Sequence, residues 1–96
     1  MLFHVTHVHT SESCPAHDPE LLRNTIGKIF GSAEQIGVKL VGSYFDAPAH
    51  TIYFIVETDA VDKLKDLFDP LLNIGHTEMR PVVDGLASYK KRVGES

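Results

Sequence analysis

The chain has 96 residues, of which 43% are hydrophobic, and a formal net charge of -4 when histidine is counted as neutral. This length holds one domain with one hydrophobic core, so we expect a single domain over residues 1–96, with residues 94–96 frayed. The acidic balance argues against a nucleic-acid partner. Phosphate contacts need clustered basic residues, and the chain concentrates these only at Lys90, Lys91 and Arg92.

Two further features narrow the class of protein. Cys14 is the single cysteine, and one cysteine cannot form an internal disulfide framework. No stretch approaches the roughly 18–20 apolar residues of a membrane span, and the first residues lack the basic segment of a signal peptide. We therefore expect a cytoplasmic protein without a membrane partner.

The first predicted element is a strand over residues 2–9, because LFHVTHVH is rich in β-branched, aromatic and histidine residues and lacks glycine and proline. Side chains alternate along a strand, so this segment has two distinct faces. One face carries Leu2, His4, Thr6 and Val8, and the other carries Phe3, Val5, His7 and His9. His4 and the pair His7 and His9 therefore cannot serve one site within a subunit.

A long helix is expected after the polar loop of residues 10–17. Asp18 is a favourable N-cap, and Pro19 suits the first helical position. Gly37 predicts a left-handed C-cap. Between these ends, apolar residues recur every three or four positions, as a helix with one buried stripe requires. These residues are Leu22, Ile26, Ile29, Phe30, Ala33 and Ile36.

Two strands joined by a short turn are expected next. Residues 38–45 and 51–57 are rich in strand-forming residues, and the turn at 46–50 contains proline. Because the link is short and polar, the two strands should pair as an antiparallel hairpin.

The last third of the chain predicts a helix, a strand and a terminal helix. Thr58 or Asp59 should cap the helix, and Pro70 should end or kink it. The fourth strand is expected over residues 76–82, and the short terminal helix over residues 86–93.

The order of these elements is β-α-β-β-α-β, which is typical of an α+β fold of the ferredoxin-like type. Right-handed crossovers place the first and third strands in the middle of a four-stranded antiparallel sheet, with two helices on one face.

The third predicted strand is apolar on both of its faces. Ile52, Phe54 and Val56 alternate with Tyr53 and Ile55. A sheet that is apolar on both faces must be covered twice, and two helices cover only one face. A second copy of the sheet is the simplest cover, so we expect a homodimer that packs sheet against sheet.

The strand and helix at residues 52–68, IYFIVETDAVDKLKDLF, resemble the dimeric α+β barrel superfamily. Its members include muconolactone-isomerase-like proteins and small monooxygenase-like proteins that act on quinols or in antibiotic biosynthesis. The resemblance implies a sheet-to-sheet dimer with a cavity between the sheets that holds a small organic substrate or haem. It carries no catalytic residue over to this chain, and a shared fold does not establish a reaction.

The strongest local chemical signal is the pair His7 and His9, which is followed by Cys14 and His17. Two histidines at positions i and i+2 of a strand share a face, so their rings can converge on one cation. Cys14 or His17 could complete the site from the loop. Imidazole with thiolate suits zinc or copper, whereas two histidines with a carboxylate would suit iron. The alternative is a buried histidine that forms a hydrogen bond beside exposed ones.

Other residues are candidates for a site on the opposite face. His4 is either an acid–base group in a cavity or a core histidine, and Tyr53 offers a ring and a hydroxyl to a ligand. His76, Glu78 and Arg80 share a face of the fourth strand, where they could orient an imidazole or simply protect an exposed edge.

Three functions remain open from the sequence. The first is a small-molecule-binding protein or small enzyme, isomerase-like or monooxygenase-like, that uses a cavity between the sheets of a dimer. The second is a metal-binding or metal-sensing protein that uses His7, His9 and Cys14 without turnover. The third is a structural or regulatory dimer without a cavity.

Overall fold

The computed structural model of the protein describes residues 1–94. The expected fraying at residues 94–96 falls largely outside them. Four strands form one sheet: β1 (Leu2–His9), β2 (Lys39–Asp46), β3 (Thr51–Glu57) and β4 (Gly75–Val82).

The helices follow the predicted order along the chain. They are α1 (Pro19–Leu22), α2 (Lys28–Ile36), α3 (Val61–Leu72) and α4 (Gly85–Arg92), with a 3-10 turn at Pro15–His17. Among residues 1–94, no helix is both long enough and apolar enough to cross a membrane.

The sheet is antiparallel throughout and has the strand order β2-β3-β1-β4. The predicted α+β class and the central position of β1 and β3 are therefore confirmed. The C-terminal end of β1 lies between the start of β3 and the start of β4, because Val8 is opposite both Thr51 and His76. This end of the sheet carries the histidines of interest.

The long predicted helix has both of its predicted ends but is interrupted in the middle. Asp18 Oδ1 accepts hydrogen bonds from the backbone N–H groups of Glu20 and Leu21, each at 3.1 Å. Gly37 ends α2 with a φ of 97°, the left-handed conformation that glycine adopts without strain. Between α1 and α2, Arg23–Gly27 forms a π-helical turn that the regular apolar spacing did not predict.

Pro70 lies inside α3, which continues to Leu72, so of the two effects predicted for this proline, to end or to kink the helix, the first does not occur. Leu71 directly after it is fully buried in the core. Burial of such a side chain contributes about 1.5–3 kcal/mol, which is comparable to the cost of proline in a helix.

One face of the sheet packs against α2 and α3 to form the core. Phe54 of β3 lies at its centre, and its ring centroid is 4.9 Å from that of Phe68 in α3. The opposite face of the sheet, called the open face below, has no covering helix among the described residues. The open-face side chains of β1 and β3 are Leu2, His4, Thr6, Val8, Thr51, Tyr53, Ile55 and Glu57.

The terminal helix α4 contributes nothing to this core. None of its residues is buried, and Leu86 and Tyr89 are exposed. Its start is fixed by Asp84, whose Oδ1 accepts a hydrogen bond from the backbone N–H of Ala87 at 3.0 Å.

Candidate metal centre

Three potential metal ligands from separate parts of the chain meet at the C-terminal end of β1. They are His9, Cys14 and His50, and their ligand atoms all lie within 4.8 Å of one another. His9 ends β1, Cys14 precedes the 3-10 turn, and His50 ends the turn between β2 and β3. We call these three residues the His–Cys–His cluster.

His9 is the buried member of the cluster, with 8% of its surface exposed. Both of its ring nitrogens are buried, and neither has a hydrogen-bond partner within residues 1–94. Buried polar atoms are usually hydrogen-bonded, and an unmade bond costs about 1–3 kcal/mol. Burial, and to a smaller extent the neighbouring His50, lowers the pKa of the His9 imidazole. The ring is therefore neutral at pH 7, with a lone pair available.

Backbone hydrogen bonds fix the position of His50 next to His9. The N–H of His9 donates to the carbonyl of His50 at 3.1 Å, and the N–H of His50 donates to the carbonyl of Ala47 at the same distance. His50 has a φ of 49°, in the left-handed region that few residues other than glycine adopt. The two imidazole centroids are 5.5 Å apart.

Cys14 is brought to the histidines by a loop that its own hydrogen bonds hold closed. The hydroxyl oxygens of Thr10 and Ser13 lie 2.9 Å apart, and the Ser13 hydroxyl donates to the carbonyl of Ile74 at 2.9 Å. Cys14 is a free thiol of intermediate exposure. The loop is therefore anchored to the segment before β4, and its cysteine faces the end of β1.

His7 lies one pleat further into the sheet and is completely buried. Its Nδ1 is 2.9 Å from the hydroxyl oxygen of Thr77, and its Nε2 is buried without a partner within residues 1–94. Burial, with smaller contributions from His9 and His76, lowers the pKa of His7 to about 4. The His7 and His9 ring centroids are 5.2 Å apart, but His7 is outside the His–Cys–His cluster.

A pocket of about 290 Å³ opens directly beside the cluster. All three cluster residues line it, together with His17 and Asp46. The remaining walls are apolar except for Thr51 and come from Pro15, Ala16, Leu22, Ile26, Phe45, Ala47, Thr51 and Ile52. The cluster therefore lies at a concave surface of the size and character that small molecules occupy.

The two residues predicted as catalytic lie on the open face, away from this pocket. The ring centroids of His4 and Tyr53 are 5.8 Å apart, and His4 Nδ1 is 3.3 Å from the hydroxyl oxygen of Thr6. Both residues are half-buried. Their position is consistent with the predicted face, and neither residue lines the pocket beside the cluster.

The predicted trio on the fourth strand also lies on the open face. His76 Nε2 is 3.3 Å from Glu78 Oε1, and Arg80 forms an ion pair with Glu78 at 2.6 Å. The hydrogen bond from His76, followed by the charge of Arg80, lowers the pKa of Glu78. In the sheet, all three residues lie opposite open-face residues of β1. None of them belongs to the His–Cys–His cluster.

Of the four metal ligands predicted from sequence, the structure brings His9 and Cys14 together. It leaves His7 one pleat away and His17 on the wall of the pocket. The third member, His50, was missed because it was assigned to a simple turn. The antiparallel pairing of β1 with β3 could have identified it, since that pairing brings the start of β3 next to the end of β1.

Comparison with known proteins identifies neither a family nor a function for the chain. No family model matches the chain, and no curated protein matches it. Among solved structures, protein Atu4242 of Agrobacterium tumefaciens is similar, with a TM-score of 0.48 and 15% sequence identity. The match covers 88% of this chain and 96% of that protein.

Proposed function

We propose that the protein is a metal-binding protein that holds one transition-metal ion with His9, Cys14 and His50, and presents the ion to a small-molecule pocket. The observation that carries the proposal is His9. Its two ring nitrogens are buried without partners, and one thiol and one further imidazole lie within 4.8 Å. A bound ion would give one of these nitrogens a partner and so offset part of the cost of its burial.

The distances require only a small contraction on binding. Tetrahedral zinc with Zn–N near 2.0–2.1 Å and Zn–S near 2.3 Å places its ligand atoms about 3.4 Å apart. The present limit of 4.8 Å exceeds this by about 1.4 Å. Rotation of the Cys14 and His50 side chains can supply the difference, because both residues are of intermediate exposure and lie outside the strands.

The donor set favours zinc or copper over calcium and magnesium. Two imidazoles and one thiolate suit zinc or copper, whereas calcium and magnesium prefer oxygen ligands. Three protein ligands leave one position of a tetrahedral ion for water or an added molecule, as in catalytic zinc sites. Because the cluster lines the pocket, that position would face the space a small molecule can enter.

The test is zinc titration of protein purified without a histidine tag and stripped with a chelator. Isothermal calorimetry should detect one zinc ion per chain, and Cys14→Ser and His50→Ala should each weaken binding at least about tenfold. A parallel copper titration identifies the preferred ion. Sub-stoichiometric zinc and copper binding, or equal affinity in both variants and the wild type, would contradict the proposal.

Two matched variants separate this cluster from the alternatives. His17→Ala removes a histidine that lines the same pocket but lies outside the cluster, and His76→Ala removes an exposed histidine of the open face. Both should bind zinc like the wild type. If His17→Ala alone lost zinc, the ligand set would be the one that contains His17.

A second candidate function rests on the open face. We propose that it is the contact surface of a homodimer, which would give the ferredoxin-like chain the dimeric α+β barrel arrangement. The open-face residues of β1 and the residues Tyr53 and Ile55 are all uncharged, and Glu57, Glu78 and Arg80 lie around them. An uncharged centre with a charged rim is typical of interfaces, and two copies of one face can pair about a twofold axis.

A further inference from the structure

We infer that the pocket beside the His–Cys–His cluster accepts a small, largely apolar molecule that carries one metal-binding head group and no second negative charge. This inference rests on the proposed function, because the head group binds the metal. It adds the chemical class of the ligand, which follows from the walls of the pocket.

The size of the pocket limits the part of a ligand that it can enclose. A volume of about 290 Å³ corresponds to about ten water-sized groups, at about 30 Å³ for each. A single six-membered ring with one substituent fits this volume. A nucleotide, a haem or a peptide segment would extend beyond it into solvent.

The walls exclude most polar ligands. Most of the lining is apolar: Leu22 and Ile26 come from the helical segments, Phe45 and Ile52 from the sheet, and Pro15 from the loop. These side chains offer no hydrogen bonds, so each polar group of a ligand that contacts them would lose its hydration without compensation. The tail of the ligand must therefore be apolar.

The charge of the metal site determines the head group of the ligand, and the charge of the pocket lining limits the rest of the ligand. A divalent ion with two neutral imidazoles and one thiolate carries a net charge of +1, so one anionic head neutralises the site. No lysine or arginine lines the pocket among the described residues, whereas the carboxylate of Asp46 does. A second anionic group on the ligand would meet this carboxylate with no cation to balance it.

The polar and apolar parts of the pocket are arranged for such a molecule. The metal-binding part of the pocket is formed by Cys14, His50 and His9, and His9 is more than nine-tenths buried. A thiolate or phenolate head would take the open metal position, and its ring would contact Leu22 and Phe45. This arrangement is a binding site for small aromatic or aliphatic thiols and related monoanions.

The test compares two ligands that differ by one carboxylate. Benzenethiol and 4-mercaptobenzoate are titrated into the cobalt-loaded protein, and the d–d absorption of the cobalt ion reports binding at the metal. We expect benzenethiol to bind at least about tenfold more tightly than 4-mercaptobenzoate. Equal affinities, or a preference for 4-mercaptobenzoate, would overturn the inference.

Three variants test the walls separately from the metal. Leu22→Lys places a cation in the wall at a partly exposed position and should reverse or abolish the preference for benzenethiol. Asp46→Asn keeps an oxygen that can accept the hydrogen bond from the Ala49 N–H, and it should reduce the preference. Val61→Lys adds the same charge at an exposed position of α3, away from the pocket, and should leave the preference unchanged.

The outcomes distinguish this inference from the proposed function. If cobalt and zinc bind but benzenethiol does not change the cobalt spectrum, the ligand class is wrong and the metal site stands. If neither metal binds, both proposals fail together. If Leu22→Lys and Val61→Lys change the preference equally, the pocket does not select the ligand.

Discussion

The two faces of β1 contain histidines in opposite situations. On the open face, His4 has the Thr6 hydroxyl within 3.3 Å and the Tyr53 ring beside it, and it is half-buried. On the helix-covered face, three ring nitrogens of His7 and His9 are buried without partners within residues 1–94. The same residue type in the same strand is therefore satisfied on one face and incompletely paired on the other.

The difference in hydrogen bonding between the two faces indicates the functional site better than the number of histidines does. A hydrogen-bonded histidine at a surface needs no further explanation. Unpaired buried nitrogens persist only where the rest of the structure offsets their cost, and this is common at binding sites. The predictions that follow alter one face and leave the other unchanged.

The largest effect is expected from Gly75→Ala, which acts on the helix-covered face. An added Cβ at position 75 would overlap the backbone carbonyl of Val8 and lie 2.9 Å from Cε1 of His7 and 3.0 Å from Cα of His9. Because backbone atoms must move, we expect a loss of about 3 kcal/mol in the free energy of unfolding, together with weaker zinc binding. Urea denaturation of the apoprotein measures the first effect.

Gly85→Ala is the matched control, because an added Cβ at position 85 meets no atom within 4 Å. It should change the free energy of unfolding by less than about 1 kcal/mol. Equal losses of unfolding free energy in the two variants would show that the close approach of Gly75 to His7 and His9 does not cause the effect.

The second effect is a pH dependence of stability that His7 causes. Unfolded His7 takes up a proton near pH 6.5, whereas folded His7 does so only near pH 4. Between these values the unfolded chain binds more protons, so stability falls as the pH falls from about 6.5 to about 4. The shift corresponds to at most about 3 kcal/mol, and denaturation of the apoprotein at several pH values measures it.

His7→Gln removes this titration and keeps a group that can bond to Thr77. The variant should lose less stability than the wild type over the same pH range. His76→Gln on the open face should change the curve less than His7→Gln does, because His76 makes only a smaller contribution to the lowered pKa of His7. A His7→Gln curve as steep as that of the wild type would assign the pH dependence to other groups.

The third effect concerns the open face. Ile55→Glu places a carboxylate opposite His4 of β1 and Gly42 of β2, in the middle of the uncharged surface. We expect the dimer to dissociate at least about tenfold more readily in sedimentation equilibrium, while zinc affinity is unchanged. Val61→Glu, at an exposed position of α3, is the control. A wild-type chain that stays monomeric at high concentration would refute the proposed dimer.

Most of the framework could be predicted from the sequence because local patterns determine it. The residue types at 2–9 predicted a strand, and two-residue alternation predicted its two faces. The cap at Asp18 and the glycine at 37 predicted the helix ends. The π-helical turn was missed, and at Pro70 the sequence left open whether the helix ends or is kinked. Both depend on how side chains pack in three dimensions, which a one-dimensional pattern does not contain.

The candidate site was predicted only in part for the same reason. His9 and Cys14 are close in sequence, so a local motif suggested them. His50 comes from another hairpin and joins them only through the pairing of β1 with β3. His7 fits the motif equally well, but the pleat places it one step deeper, beside Thr77. Spacing predicted a group of candidates, and the sheet register selected among them.

The most direct measurement is the absorption spectrum of the tag-free protein loaded with one equivalent of cobalt. If His9, Cys14 and His50 hold the metal, the spectrum will contain an intense thiolate-to-cobalt charge-transfer band and the visible bands of a four-coordinate ion. The Cys14→Ser variant should lose the charge-transfer band but keep the fold. A wild-type spectrum identical to that of cobalt in buffer, or a band that persists in Cys14→Ser, would contradict the account.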